Sequence, residues 1–279
     1  LDIELISGFK KLIFSDYDLT HNLFEYYANN NFDGLNNKGN KFNKDVLNLP
    51  HSLTHLIFGY YFNRNVSFLP SSITHLTFGC CFNQNVSKLP HSLIYLTFCF
   101  DFNQNVYTLP HNLTHLTFGF EFNRDVSKLP HGLTHLTFGL HFNKDVLKLP
   151  PSLTHLIFGD NFNQDVSNLP QEITHLTFGN NFNQDVSSLP HSLTHLTISS
   201  SFNQDMSKLP PHTLIHLNLE YYRRMKEYNV LPYVKYLKLD CNDLYIINSL
   251  PNSVAELELG EYFNLEMNNL PTSIKILRI

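Results

Sequence analysis

The chain has 279 residues, 42% of them hydrophobic without a long unbroken apolar run, and 19 basic against 24 acidic side chains leave a net charge of −5. These figures exclude a membrane-spanning helix and give no electrostatic reason to expect nucleic acid or an anionic membrane as partner; no charged-then-apolar leader is visible either. Four cysteines, Cys80, Cys81, Cys99 and Cys241, are too few and too irregular for a disulfide framework and are read as reduced thiols in a cytoplasmic protein.

Residues 1–48 are the least regular part and are read as an N-terminal cap with degenerate first repeats. In GFKKLIF, Phe9, Leu12 and Phe14 keep the spacing of Leu53, Leu56 and Phe58, and the pattern recovers at Phe42, Asn43, Val46 and Leu49 after an interruption. Because the first residue is a leucine, the natural protein is expected to begin upstream.

From Leu49 a phrase of twenty residues, LPHSLTHLIFGYYFNRNVSF, is said eight times over residues 49–208. A unit this short cannot close a core alone, so its apolar face must be covered by the next copy, and the fold predicted is a repeat solenoid. In one copy the apolar residues are Leu113, Leu116, Phe118, Phe122, Val126 and Leu129. Leu116 and Phe118 alternate with outward-pointing neighbours, so THLTF is a strand. Gly119 and its equivalents follow, where the chain leaves the strand and a positive backbone angle is expected. The proline of each LP cannot donate to a ladder and belongs on the turn feeding the next strand. No segment holds ten residues of helical periodicity. The architecture expected is therefore a curved parallel β-sheet on a concave face, with extended chain or short 3-10 turns on the convex side. Residues 209–279 read as diverged C-terminal repeats and cap within the same domain; YLKLDCNDL over 236–244 matches the leucine-rich-repeat phrase LxLxxNxL. IKILRI is an edge strand guarded only by Lys275 and Arg278, and the open solenoid ends invite a homodimer.

Repetition turns each position into a column with neighbours about 4.8 Å apart. Two phenylalanine columns, Phe58 to Phe178 and Phe62 to Phe202, form a doubled spine, each ring contributing roughly 1.5–3 kcal/mol by burial. The asparagine after the second phenylalanine, Asn63 to Asn203, falls at a turn and is read as satisfying turn groups in successive copies. Asp125, Asp145, Asp165, Asp185 and Asp205, continued upstream by Asn65, Asn85 and Asn105, are read as turn caps in preference to a calcium file.

The candidate binding residues are an outward column of His55, His75, Tyr95, His115, His135, His155, His175, His195 and His216, flanked by threonines. Like charges at that spacing repel by about 1 kcal/mol in water, so the ladder is expected to stay mostly neutral at neutral pH. It covers the sheet and offers a partner surface; metal capture is less favoured because no carboxylate or thiol column adjoins it. A second candidate is an apolar rim at Tyr60, Phe100, Phe120 and Leu140, in a column that turns polar further along the chain. No catalytic grouping, cofactor motif or metal site is found.

The residues FGxxFN followed by LP resemble the FNIP (FGxxFN-type) repeat, a branch of the leucine-rich-repeat superfamily known from giant DNA viruses and social amoebae. The resemblance covers residues 42–279. Here the units are shorter than the family's common length, and Asn or Asp follows FNQ or FNR where proline or isoleucine is frequent. It implies a non-enzymatic scaffold that binds another protein, in the host cytoplasm if the source is viral. Relatives often carry an upstream F-box, which implies a substrate receptor of a ubiquitin ligase as an alternative, though residues 1–48 show no F-box pattern. A metal- or carbohydrate-binding module is the third reading.

Overall fold

The computed structural model describes residues 9–14, 41–210, 213–220, 231–240, 244–261, 263–264, 266–267 and 270–279. Residues 1–8 and 15–40 of the cap read over 1–48, and Cys241 with Asn242, lie outside the described residues. Contacts divide the chain into residues 1–133 and 134–279, taken in turn.

In the first unit, β1 (Lys11–Ile13), β2 (His55–Ile57), β3 (His75–Thr77), β4 (Tyr95–Thr97) and β5 (His115–Thr117) pair in parallel, each with its neighbour in sequence. The register sets like on like: Leu12 beside Leu56, then Leu76, Leu96 and Leu116. The second unit repeats this with β6 (His135–Thr137), β7 (His155–Ile157), β8 (His175–Thr177), β9 (His195–Ile198), β10 (His216–Leu219), β11 (Tyr236–Leu239), β12 (Glu256–Leu259) and β13 (Ile276–Arg278). The chain is thus a parallel β-solenoid with very little helix. GFKKLIF takes the place in β1 that its spacing predicts.

Each strand is only three or four residues long because the coil must turn three times within its period. In the coil after Leu149, N–H groups of Leu153, Phe162 and Leu169 donate to carbonyls three residues back, on Pro150, Gly159 and Val166. A second line of backbone bonds ties coil to coil at the corner after the strand: Cys81 N–H donates to Tyr60 (2.9 Å), and Asn161 N–H to Leu140 (3.0 Å).

The core is the doubled phenylalanine spine. Within a coil, Phe58 lies flat on Phe62 with centroids 3.7 Å apart, and Phe158 on Phe162 likewise. Between coils each column continues near-parallel at wider spacing, 5.6 Å for Phe58 to Phe78 and 6.1 Å for Phe62 to Phe82. The tightest ring contact therefore lies across the coil interior. Phe14 on Phe42, 4.2 Å apart, repeats it in the first coil despite the long interruption between them.

Beside the second phenylalanine runs an amide ladder. Asn83 N–H donates to Asn63 Oδ1, and Asn103 N–H to Asn83 Oδ1, both at 3.0 Å; Asn183 N–H donates to Asn163 Oδ1 at 2.9 Å. Gln84 and Gln184 add a second donor to the same oxygens. The asparagine column therefore bonds one coil to the next, as its position suggested. The aspartate file closes local turns: Asp165 Oδ1 accepts from Ser167 N–H at 2.8 Å, and Asn65, Asn85, Asn105, Asp125, Asp145, Asp185 and Asp205 do the same two residues on.

Two expectations change. Gly79, Gly119, Gly159 and Gly179 adopt no positive φ; these positions are glycine because neighbouring backbones approach so closely that a Cβ at Gly79 would collide with the Gly59 carbonyl, and one at Gly159 with that of Gly139. Besides the 3-10 turn at Met206–Lys208, the described residues include an α-helix, α1 (Leu244–Asn248), too short to register as periodicity. At β13, Ile276 and Leu277 are each about 40% exposed, whereas the leucines of the same column from Leu56 to Leu257 are buried.

Three substitutions in one coil separate these contributions. Phe162→Ala should cost about 3–5 kcal/mol. Asn163→Ala, which strands the Asn183 N–H and Gln184, should cost about 1–3 kcal/mol, and Asp165→Ala, at an exposed turn, about 0.5 kcal/mol. Denaturant unfolding should return that order.

Candidate binding face

Strand alternation turns leucine and phenylalanine into the core and leaves histidine and threonine outside, so the predicted ladder does form one face in each unit. In residues 1–133, His55, His75, Tyr95 and His115 stack at 4.1, 4.4 and 4.2 Å. In residues 134–279, His135, His155, His175, His195 and His216 stack at 4.2, 4.2, 4.0 and 4.1 Å, and Tyr236 extends the file at 4.1 Å from His216.

Hydrogen-bond accounting fixes each ring. Thr74 Oγ1 lies 2.8 Å from His75 Nδ1, and Thr174 Oγ1 lies 2.9 Å from His175 Nδ1. The Thr54 carbonyl above Thr74 already accepts two backbone N–H groups, from Thr74 (2.9 Å) and His75 (3.0 Å), and lies 3.2 Å from the hydroxyl. Each such hydroxyl thus bridges the carbonyl one coil back and the ring beside it, and so holds the imidazole in place. The face is a row of stacked imidazoles, with Nδ1 held at a threonine hydroxyl in His55, His75, His115, His135, His155, His175 and His195.

Neutrality has a different first cause from the one expected. Burial comes first in holding His75, His155 and His195 below the usual histidine range, with neighbouring histidines second; His195 is pushed down to about 4. His216 is lowered by burial against the opposing pull of Glu256. Among the described residues no three His, Cys, Asp or Glu side chains group to hold a metal ion; the stacked rings hold their nitrogens side by side without converging.

Over β9–β13 the open face becomes a depression of about 350 Å³, lined by His195, Thr197, His216, Asn218, Tyr236, Lys238, Glu256, Glu258 and Arg278. Here the two outward columns lose their uniformity. Lys238 pairs with Glu258 at 2.8 Å, Arg278 with Glu256 at 3.0 Å, and Asn218 Nδ2 donates to Glu220 at 2.8 Å. Sequence reasoning took this stretch as diverged repeats and did not single out Asn218, Lys238, Glu256 or Glu258. Their signal was that each breaks an outward column and leaves the inward one intact.

The rim residues sit at the corner after the strand. Tyr60, Phe100 and Phe120 are half-buried, with Phe100 stacked on Phe120 at 4.6 Å, and Leu140 is half-buried in its own unit. Cys80, between Tyr60 and Phe100 in the column, is only 3% exposed, so the apolar surface is interrupted there. Burial, then the neighbouring Cys80, Cys81 and Asp101, push the Tyr60 phenol up to about 12, so it stays neutral.

A family model described as FNIP Repeat matches residues 42–81, 66–101, 102–141, 142–181, 165–201, 202–262 and 242–279. No curated protein matches the chain. Among solved structures it is similar to CroV588, a circular leucine-rich-repeat protein of a giant virus, at 40% identity and a TM-score of 0.65 over 85% of this chain and 42% of that one. The chain therefore spans less than half of that structure's length. The functional domain of InlJ from Listeria monocytogenes, which includes a cysteine ladder, matches at 19% identity and TM-score 0.46 over 82% of this chain and 54% of that one. YopM from Yersinia enterocolitica matches at 17% identity and TM-score 0.28, with 83% and 79% covered. The family matches run without a gap from residue 42 to residue 279, over the coils whose phenylalanine and asparagine columns build the fold, and the chain belongs to the FNIP repeat family.

Proposed function

We propose that this chain is a scaffold that binds a protein partner on the open face of its sheet and does no chemistry of its own. The depression over β9–β13 is the centre of the contact, and the rim at Tyr60, Phe100 and Phe120 is a separate apolar contact. The observation that carries the reading is that the hollow spans the change in both outward columns, from His216 to Tyr236 and Glu256 and from Thr197 to Asn218, Lys238 and Glu258. In stacked-repeat proteins the sheet face is the surface most often used for partners. Tyr236 supplies the kind of aromatic anchor on which interfaces concentrate their energy. The Lys238–Glu258 pair is 44% and 41% exposed, so it contributes little to the free fold and is available to exchange partners across an interface. The imidazole nitrogens along the ladder favour a partner surface that can hydrogen-bond to them.

The test is capture of the partner from cells expressing the chain, followed by affinity measurement with the purified pair. Tyr236→Ala with Lys238→Ala should raise Kd about tenfold or more, and Phe100→Ser with Phe120→Ser should weaken binding without unfolding the chain. Asp165→Ala, on the far side of the coil, should leave Kd unchanged. Wild-type affinity in both surface variants would contradict the reading. So would a captured protein that proves to be this chain itself, held through the exposed edge of β13 and released by Leu277→Lys.

The same face makes the fold sensitive to acid. His75, His155, His195 and His216 have folded-state values below the unfolded one, so between those values the unfolded chain binds more protons than the folded one. Stability is therefore complete above about pH 6.5 and falls as pH drops below it. The melting temperature should drop between about pH 7.5 and about pH 5, above the range where the turn aspartates titrate. Replacing His155 and His195 with asparagine should shrink the drop; an unchanged melting temperature in the parent chain would refute the linkage.

A further inference from the structure

The repeat supplies an internal standard against which single departures stand out. The column after the strand phenylalanine is glycine at six of its eight regular positions and carries a side chain only at Cys99 and Ser199. Both exceptions reach back one coil: Ser199 Oγ donates to the Phe178 carbonyl at 3.3 Å, and Cys99 Sγ lies 2.7 Å from Cys80 Sγ. Cys80 is a departure of its own, the small buried member of a column whose neighbours are Tyr60 and Phe100. Two residues that leave two different columns thus meet across one coil boundary.

The backbone suits a covalent link. Asp101 N–H donates to the Cys80 carbonyl at 2.8 Å and pins the two coils at this corner. Coils stack about 4.8 Å apart and an extended chain advances about 3.3 Å per residue. The one-residue diagonal from 80 to 99 therefore spans about 6 Å between Cα atoms, within the range disulfides use. Both sulfurs are buried, Cys80 at 3% and Cys99 at 5% exposure, facing each other and away from solvent.

We propose that Cys80 and Cys99 are an oxidisable pair that forms an intramolecular disulfide, stapling two successive coils. The oxidant class is a small-molecule disulfide. One protein thiolate attacks a sulfur of the oxidant and displaces one of its halves as thiolate. The second protein thiolate then attacks the protein sulfur of the mixed disulfide and displaces the other half. Two protein thiols become one disulfide and the oxidant becomes two thiols, taking up the two electrons and both protons. Burial, then Asp101 and Cys80, hold the half-buried Cys81 thiol above its usual range; what singles out Cys80 and Cys99 is geometry, since their sulfurs already face each other at 2.7 Å. Burial of the reacting pair makes the reaction wait on local opening of the corner, so it is slow.

The test incubates the folded chain with glutathione disulfide, quenches with acid and digests without reduction; cleavage after Lys88 separates Cys80 from Cys99. The expected product is the two peptides joined and two hydrogens lighter than their sum, formed equally in Cys81→Ser. The oxidised protein should melt about 5 °C above the reduced one, from a closed loop of about twenty residues. The shift should vanish in Cys80→Ser and in Cys99→Gly, which restores the repeat's own glycine and so keeps the fold. Three results would overturn the proposal: a glutathione adduct on Cys81 alone, a link between Cys80 and Cys81, or an oxidised protein whose melting temperature matches the reduced one.

Discussion

The interaction on which the structure depends is the bond from each Asn N–H to the Asn Oδ1 one coil earlier, made beside a phenylalanine pair that spans the coil interior. Where it is observed, from Asn43 to Asn123 and from Asn143 to Asn203, its length stays between 2.8 and 3.1 Å. A side-chain amide has a fixed reach, so the bond holds successive coils at one spacing and allows no slip of register. The rings then stack, because equal register puts Phe58 over Phe78 and Phe62 over Phe82. Hydrophobic burial supplies most of the stabilisation, and the amide ladder decides which of many similar packings is adopted.

A scaffold this regular leaves its open face free to vary, since outward residues carry little of the cohesion. Over most strands the face remains a file of stacked imidazoles held by threonine hydroxyls. Over β10–β13 the inward leucines Leu217, Leu237, Leu257 and Leu277 keep their register while the outward partners become Asn218, Lys238, Glu258 and Arg278. That combination, an unbroken interior rhythm under an altered surface, is what the proposed binding role rests on.

Much of this was legible in the sequence. Period gave the solenoid, alternation gave the strands, and the residue types at each turn predicted that Asn63 and its equivalents would bond between coils and that Asp165 and its equivalents would cap. Three things were not legible, each for a physical reason. Glycine after the strand was read as a demand on backbone angle, but the demand is for space against the neighbouring coil, which depends on how coils nest. The neutrality of His195 was ascribed to its neighbours, but burial contributes more, and burial appears only once the sheet is assembled. The pairing of Cys80 with Cys99 was hidden because a separation of 19 residues crosses columns instead of following one. The depression over β9–β13 was missed for a similar reason: loss of a surface pattern looks like decay until the core beneath it is seen to be intact.

The central claim is that the coil is the unit of the fold and that each coil is held only by its neighbours in register. Excising residues 149–168, one full coil, joins Lys148 directly to Leu169, which takes the place of Leu149, and tests this most directly. The account predicts a folded chain with an unchanged β-type circular dichroism spectrum per residue and a melting temperature lowered by a few degrees, whereas removal of residues 149–158 alone should abolish cooperative unfolding. Collapse of the fold on losing the full coil, or survival on losing half of one, would contradict it.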